Sequence, residues 1–266
     1  MARMARIEAH FFSEKLGMCV TCNVIIPQRR EADAVPNEKF KTLWLLHGYG
    51  DDESTWLRRT SVERYASEYS LAVVMPCVHL SAYADMVHGG AYYSFVSEEL
   101  PKILRSYFPL SEKREDNFIA GLSMGGHGAL KIGLSHAENY GYIGCFSAGC
   151  INHNPKNADS PAHLRRMEIL YGDRETKGTE EDLYGSAEKL LKSGGPFPRI
   201  YHCCGTEDFM LDSARVTRDY FANIPSDPFG YVYEEDKGAH TWEYWDEHIK
   251  HFIAFLGIAP QGGILA

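Results

Sequence analysis

Gly121-Leu122-Ser123-Met124-Gly125, followed by Gly126, is the segment whose residue types most directly suggest chemistry. A lone G-x-S-x-G is a weak pattern, but here its setting strengthens it. The apolar run Phe118-Ile119-Ala120 leads into it, and a Gly- and Ala-containing helical stretch leaves it. Strand, sharp turn and helix are the surroundings a nucleophilic serine needs. The turn strains the serine backbone, so a larger side chain at a flanking glycine would collide. The hydroxyl then stands at the N-terminus of a helix, whose dipole favours developing negative charge. A Gly-rich turn with Ser123 as a simple helix cap is the bland reading of the same residues.

A serine nucleophile needs a base, and chain order decides among the twelve histidines. With such an elbow the order is Ser, acid, His, and the base lies in the loop after the last strand. His10, His47, His79 and His88 precede Ser123. His127, His136, His153 and His163 come too early, and His202 falls within a strand-like run. His248 and His251 belong inside the closing helix as surface or packing residues. His240, in Gly238-Ala239-His240-Thr241-Trp242, sits between a strand and a helix and is the expected base. The acid should follow the preceding strand, in the turn Thr206-Glu207-Asp208-Phe209. Asp208 is the first choice, with Glu207 and Asp212 as rivals. It would hold His240 in the right tautomer and stabilise its protonated form. An oxyanion needs two backbone N–H donors. One is expected from Met124, the other from the loop His47-Gly48-Tyr49-Gly50, at Tyr49. His47 itself reads as a structural group under that loop.

The elements that must position these residues alternate in type. Residues 6–12 and 18–26 alternate apolar and polar, as half-exposed antiparallel strands do. Leu43–Leu46 and Leu71–Met75 are short continuous apolar runs, hence doubly covered strands, the second ended by Pro76. Further strands are expected at 118–121, 142–146, 199–204 and 229–234. Helices are expected from Ser54 to about Glu68, and over 92–108, 125–135 and 242–256. Two antiparallel leading strands followed by βαβ units predict an α/β chain, a doubly wound and mostly parallel sheet. The whole of 1–266 is expected to form one domain. Residues 147–198 break the rhythm, being polar with short helical pieces near 161–170 and 182–192. They form an insertion that reads equally as a partial lid or as surface decoration.

Bulk properties exclude several partners. Net charge is −9, from 27 basic and 36 acidic residues, with no dense Lys/Arg run. That argues against nucleic acid or an anionic membrane as partner. The first residues lack an apolar signal core, and no apolar run approaches a membrane span. The odd count of seven cysteines fits a reducing cytoplasm. Cys19 and Cys22 have zinc-pair spacing, but no second pair completes a site. Like Cys203 and Cys204, they read as buried structural thiols.

At this point the chain resembles the tributyrin esterases, within the broader esterase D and S-formylglutathione hydrolase family of α/β-hydrolases. The matching segments are Leu45-Leu46-His47-Gly48, Trp56-Leu57-Arg58-Arg59-Thr60, Val73-Val74-Met75-Pro76, Glu98-Glu99-Leu100-Pro101 and Phe118 through Gly126. They continue with Cys204-Gly205 through Asp208-Phe209, and with His240, Trp242, Tyr244 and Trp245. The resemblance implies the α/β-hydrolase fold and a serine esterase for short acyl chains. It carries the acid role to Asp208, the base to His240 and the oxyanion hole to Tyr49 and Met124. Acyl transfer of this kind needs no metal or organic cofactor. Gly48, Phe209, Met210 and Trp242 are expected to line the substrate pocket, with room for acetyl to butyryl groups. The expected partner is a small-molecule ester, and a homo-oligomer is left open. Rival readings are S-formylglutathione hydrolysis, acyl transfer to an alcohol, and a non-catalytic binding module on the same fold.

Overall fold

The computed structural model describes residues 3–28, 38–150 and 160–260. Eight strands form one sheet: β1 (Arg3–Ser13), β2 (Met18–Gln28), β3 (Thr42–Leu46), β4 (Ala72–Pro76), β5 (Asn117–Leu122), β6 (Tyr142–Phe146), β7 (Arg199–Gly205) and β8 (Val232–Asp236). Their spatial order is β1-β2-β4-β3-β5-β6-β7-β8. β1 and β2 pair antiparallel, as do β2 and β4, and every later pair is parallel. This is the α/β-hydrolase fold, with the expected antiparallel leading strands.

Central β3, β4 and β5 are buried along their whole length. Both faces are covered, which is why these strands read as unbroken apolar runs. Alternation assigns their side chains to two layers. Trp44, Leu46, Ile119 and Ile143 join one core, against α5 (Met124–Ser135), α7 (Leu183–Ser193) and the helical run containing α3 (Tyr92–Ser94) and α4 (Leu100–Tyr107). Leu43, Leu45, Phe118 and Ala120 join the other, with Trp56, Tyr65 and Trp245 from α1 (Thr55–Arg59), α2 (Val62–Glu68) and α9 (Trp242–Phe255). Edge strand β8 is covered on fewer sides and stays half-exposed. Among the described residues no helix is long and apolar enough to cross a membrane.

Several boundaries differ from the sequence reading, each for a local reason. The helix expected over 54–68 is two helices. Thr60 adopts an extended backbone, its hydroxyl donates to the Trp56 carbonyl, and Asp246 of α9 accepts from Ser61 N–H at 2.8 Å. Such local side-chain bonds compete with helix continuation. The last strand begins at Val232, not at Phe229. Phe229 is an apolar anchor, packed on Phe197 and Phe221, and Gly230 turns the chain at φ +48°. Cys19 is exposed, although Cys22, three residues on, is buried. An odd separation along β2 sends the two thiols to opposite faces, so the expectation of burial fails for Cys19 alone of that pair.

Candidate active site

Ser123 sits between the end of β5 and the start of α5 at φ +51°, ψ −118°. A non-glycine residue held there is strained and must be over-determined by its surroundings. Those surroundings are backbone. Ser123 N–H donates to Phe146 O at 2.8 Å. A Cβ on Gly121 would lie 2.5 Å from Gly125 backbone, and one on Gly125 would lie 2.5 Å from Leu46 O. The glycines of the motif are therefore needed for close approach, because the elbow packs directly on the end of β3.

The loops after β7 and β8 are stitched together. Thr206 N–H donates to Asp236 O at 2.9 Å, and Glu207 N–H to Gly238 O at 2.8 Å. This brings Asp208 to His240. His240 Nδ1 lies 2.9 and 3.0 Å from the two Asp208 oxygens, and the Asp208 side chain is fully shielded from solvent. Nδ1 donates to the carboxylate, which assigns the lone pair to Nε2. Among the described residues no hydrogen bond joins Ser123 Oγ to His240. Such bonds are often loose before substrate arrives and tighten with it.

Burial by itself would push the Asp208 carboxyl up. The His240 ring, the Met210 N–H at 2.8 Å and the Ser147 hydroxyl together bring it below the ordinary carboxylate value. Glu207 and Asp212, the rival acids, are exposed. His127 and His202 are buried and held neutral. Burial pushes His127 down to about 3 and His202 down to about 4. His47 is also lowered by burial. Its Nδ1 donates to Gly48 O at 2.8 Å and its Nε2 accepts from Val78 N–H at 3.0 Å, the structural role expected of it.

The loop above β3 is braced from three sides. Beyond the His47 ring, Trp56 Nε1 donates to Leu46 O and the Tyr83 hydroxyl donates to His47 O. No hydrogen bond engages Tyr49 N–H among the described residues. Met124 opens α5, so its N–H has no partner within the helix. Gly48 packs on Leu122, where a Cβ would approach Cδ1 to 2.5 Å.

The surrounding residues divide. Phe209 is 76% exposed, its ring 4.3 Å from that of His240. Met210 contributes its N–H to Asp208. Trp242 is half-buried and sits edge-on to Trp56 and Trp245 at 5.3 and 5.2 Å. Its ring contacts belong to the packing of α1 and α9, and no ring contact joins it to His240.

The family model described as "Putative esterase" matches residues 13–256. The chain belongs to this esterase family. An acetyl esterase of Caldicellulosiruptor saccharolyticus is 34% identical over 264 residues, covering 95% of this chain and 98% of the relative. The solved fluorophosphonate-binding serine hydrolase F of Staphylococcus aureus superposes with TM-score 0.86 at 35% identity, covering 95% of this chain and 98% of that one. The S-formylglutathione hydrolase FrmB of the same organism gives TM-score 0.81 at 34% identity, covering 96% and 99%. The chain is a carboxylic ester hydrolase.

Motif reading missed two residues that lie against the candidate site residues. Ser147, buried at φ +48°, donates its N–H to Cys203 O and accepts from Trp245 Nε1 at 2.9 Å, while supporting Asp208. Arg166 comes from α6 (Pro161–Tyr171) in the insertion. Its guanidinium lies 4.0 Å over the Tyr49 ring, with Nη2 at 3.9 Å from Met124 Sδ and a buried, unpartnered Nε.

Proposed function

We propose that this esterase hydrolyses short-chain acyl esters through an acyl-enzyme on Ser123. The observation that carries the reading is a strained serine at a helix N-terminus, at the same strand-end edge of the sheet as a histidine whose Nδ1 is held by a buried carboxylate. In the first half-reaction Ser123 Oγ attacks the ester carbonyl and His240 Nε2 takes its proton. The oxyanion rests on the N–H groups of Met124 and Tyr49, which are fixed before substrate arrives and so cost no reorganisation. His240 then gives the proton to the leaving alcohol. In the second half-reaction water attacks the acyl carbonyl, His240 again acting as base, and Ser123 is released. Asp208 stays ionised throughout and keeps the imidazole oriented.

The acyl group enters between bulky neighbours, with Tyr49 and Met124 on one side and Phe209 and Met210 close to His240 and Asp208. That crowding supports acetyl to butyryl groups. The insertion borders the other side through Arg166, a partial lid in this reading. Arg166 also favours the second reading, S-formylglutathione hydrolysis, because a guanidinium with no carboxylate partner among the described residues suits the carboxylates of a glutathione leaving group.

Initial rates across p-nitrophenyl esters from acetyl to dodecanoyl, beside S-formylglutathione, test both. Each methylene that fits contributes about 1 kcal/mol, so kcat/KM should change gradually and then drop sharply beyond butyryl. A maximum at octanoyl or longer would contradict the small pocket. Thioester turnover far above every ester would select the second reading.

A further inference from the structure

The segment carrying His240 runs from β8 into α9, and these two elements share another cluster of ionisable groups. Glu234 of β8 and His248 and His251 of α9 place one ligand atom each within 4.8 Å of one another. Glu234 Oε2 lies 2.9 Å from His251 Nδ1 and 3.4 Å from His248 Nδ1. The Tyr201 hydroxyl of β7 lies 2.6 Å from the same oxygen and 2.8 Å from His248 Nδ1. Behind the rings stand two further carboxylates. His248 Nε2 is 3.3 Å from Asp236 Oδ1, and His251 Nε2 is 3.2 Å from Glu247 Oε1.

A neutral imidazole has one N–H, and a carboxylate can only accept. Each ring has a carboxylate at both nitrogens: with the N–H on Nε2 both Nδ1 lone pairs face Glu234 Oε2, and with it on Nδ1 of His251 that ring donates to Glu234 instead. The single Tyr201 hydrogen serves either Glu234 or His248, not both. In the first of these ring arrangements three acceptors converge on a space supplied with one hydrogen, and a cation there would satisfy all three. Two imidazole nitrogens and a carboxylate oxygen, each imidazole backed by a carboxylate, match the donor set and outer shell of zinc-class cations. Bond lengths of about 2.0–2.2 Å in a tetrahedron put ligand atoms roughly 3.4 Å apart; Glu234 Oε2 is 3.4 Å from His248 Nδ1 and 2.9 Å from His251 Nδ1. His251 and Glu234 side chains are 40% and 38% exposed while His248 is buried, so one side is open for entry and for water as fourth ligand.

We propose that Glu234, His248 and His251 bind a zinc-class divalent cation, which clamps β8 to α9 on either side of the loop bearing His240. A single proton shared between His251 and Glu234 would answer the same convergence of acceptors, and the test separates the two. Untagged, chelator-treated full-length protein is dialysed against Zn²⁺ or Co²⁺ at micromolar concentration. One equivalent should bind, Co²⁺ should show the strong visible absorption of four-coordinate geometry, and Zn²⁺ should raise Tm. His251→Ala should lose all three. Glu247→Gln removes no ligand but should weaken binding about tenfold or more, as loss of an outer-shell partner does. Both variants should keep wild-type turnover of p-nitrophenyl acetate in metal-free buffer. No saturable binding to the wild type, or equal binding by His251→Ala, would overturn the proposal and leave the shared proton.

Discussion

Asp208 holds its charge because three different groups hydrogen-bond to it while almost no water reaches it. The His240 ring, the Met210 N–H and the Ser147 hydroxyl outweigh the burial that would otherwise neutralise it. An amide in its place would keep the shape and lose the charge, allowing the imidazole to settle in the wrong tautomer. Asp208→Asn should therefore lower kcat roughly 10³–10⁴-fold. Glu207→Gln and Asp212→Asn alter exposed side chains and should stay within about twofold, the span of ordinary surface changes. Steady-state kinetics of the three variants decide it, and equal, mild losses would place the acid elsewhere. The preference for Asp208 was legible from its turn after a buried strand. Ser147 was not, because its indole partner is Trp245, 98 residues away. A serine that follows a strand has many uses, and its neighbours in sequence do not say which.

The helix that leaves Ser123 is also an anchor for the insertion. Lys131 of α5 is fully buried, and its ammonium donates to Glu181 at 2.8 Å and to the carbonyls of Ala82 and Tyr83 at 3.0 and 3.2 Å. Both of those residues have positive φ, and the Tyr83 hydroxyl braces the loop at His47. Tyr171, at the end of α6, donates to Glu181 as well. Removing one partner of a buried pair leaves an uncompensated charge and costs about 3–5 kcal/mol. Glu181→Gln should lose about 3 kcal/mol or more by urea denaturation. Glu188→Gln breaks only an exposed pair with Lys192 and should lose under about 1 kcal/mol. Matching small losses would show that the ion pair does not hold the insertion in place. Apolar periodicity made α5 and the central strands readable, since it reports burial directly. It could not report Lys131, a charge inside a helix buried on every face, nor the break at Thr60, which depends on Asp246 from a distant helix. Arg166 escaped for a related reason. The insertion is largely polar, so nothing in its pattern distinguishes the cation whose guanidinium lies over Tyr49.

Across the whole molecule, the fold gathers distant parts of the chain at the carboxyl ends of parallel strands. The Tyr49 loop follows β3, Ser123 follows β5, Ser147 follows β6, Asp208 follows β7 and His240 follows β8. That common end is why a candidate serine, acid and base could be proposed in that chain order before any geometry was known. The two antiparallel strands at the start contribute no residue to the site; they extend the sheet and cover its edge. What the chain's periodicity could not give is how tightly the strand ends approach, which the glycine contacts at Gly121 and Gly125 set. The central claim is that of all the serines in the folded chain, Ser123 alone is made nucleophilic. The most direct measurement treats native protein with a fluorophosphonate and maps the adduct by peptide mass spectrometry, alongside turnover of Ser123→Ala. The account predicts one adduct, on Ser123, and a loss of roughly 10⁴-fold or more in kcat for the folded variant. An adduct on a different serine, or near-normal turnover by Ser123→Ala, would contradict it.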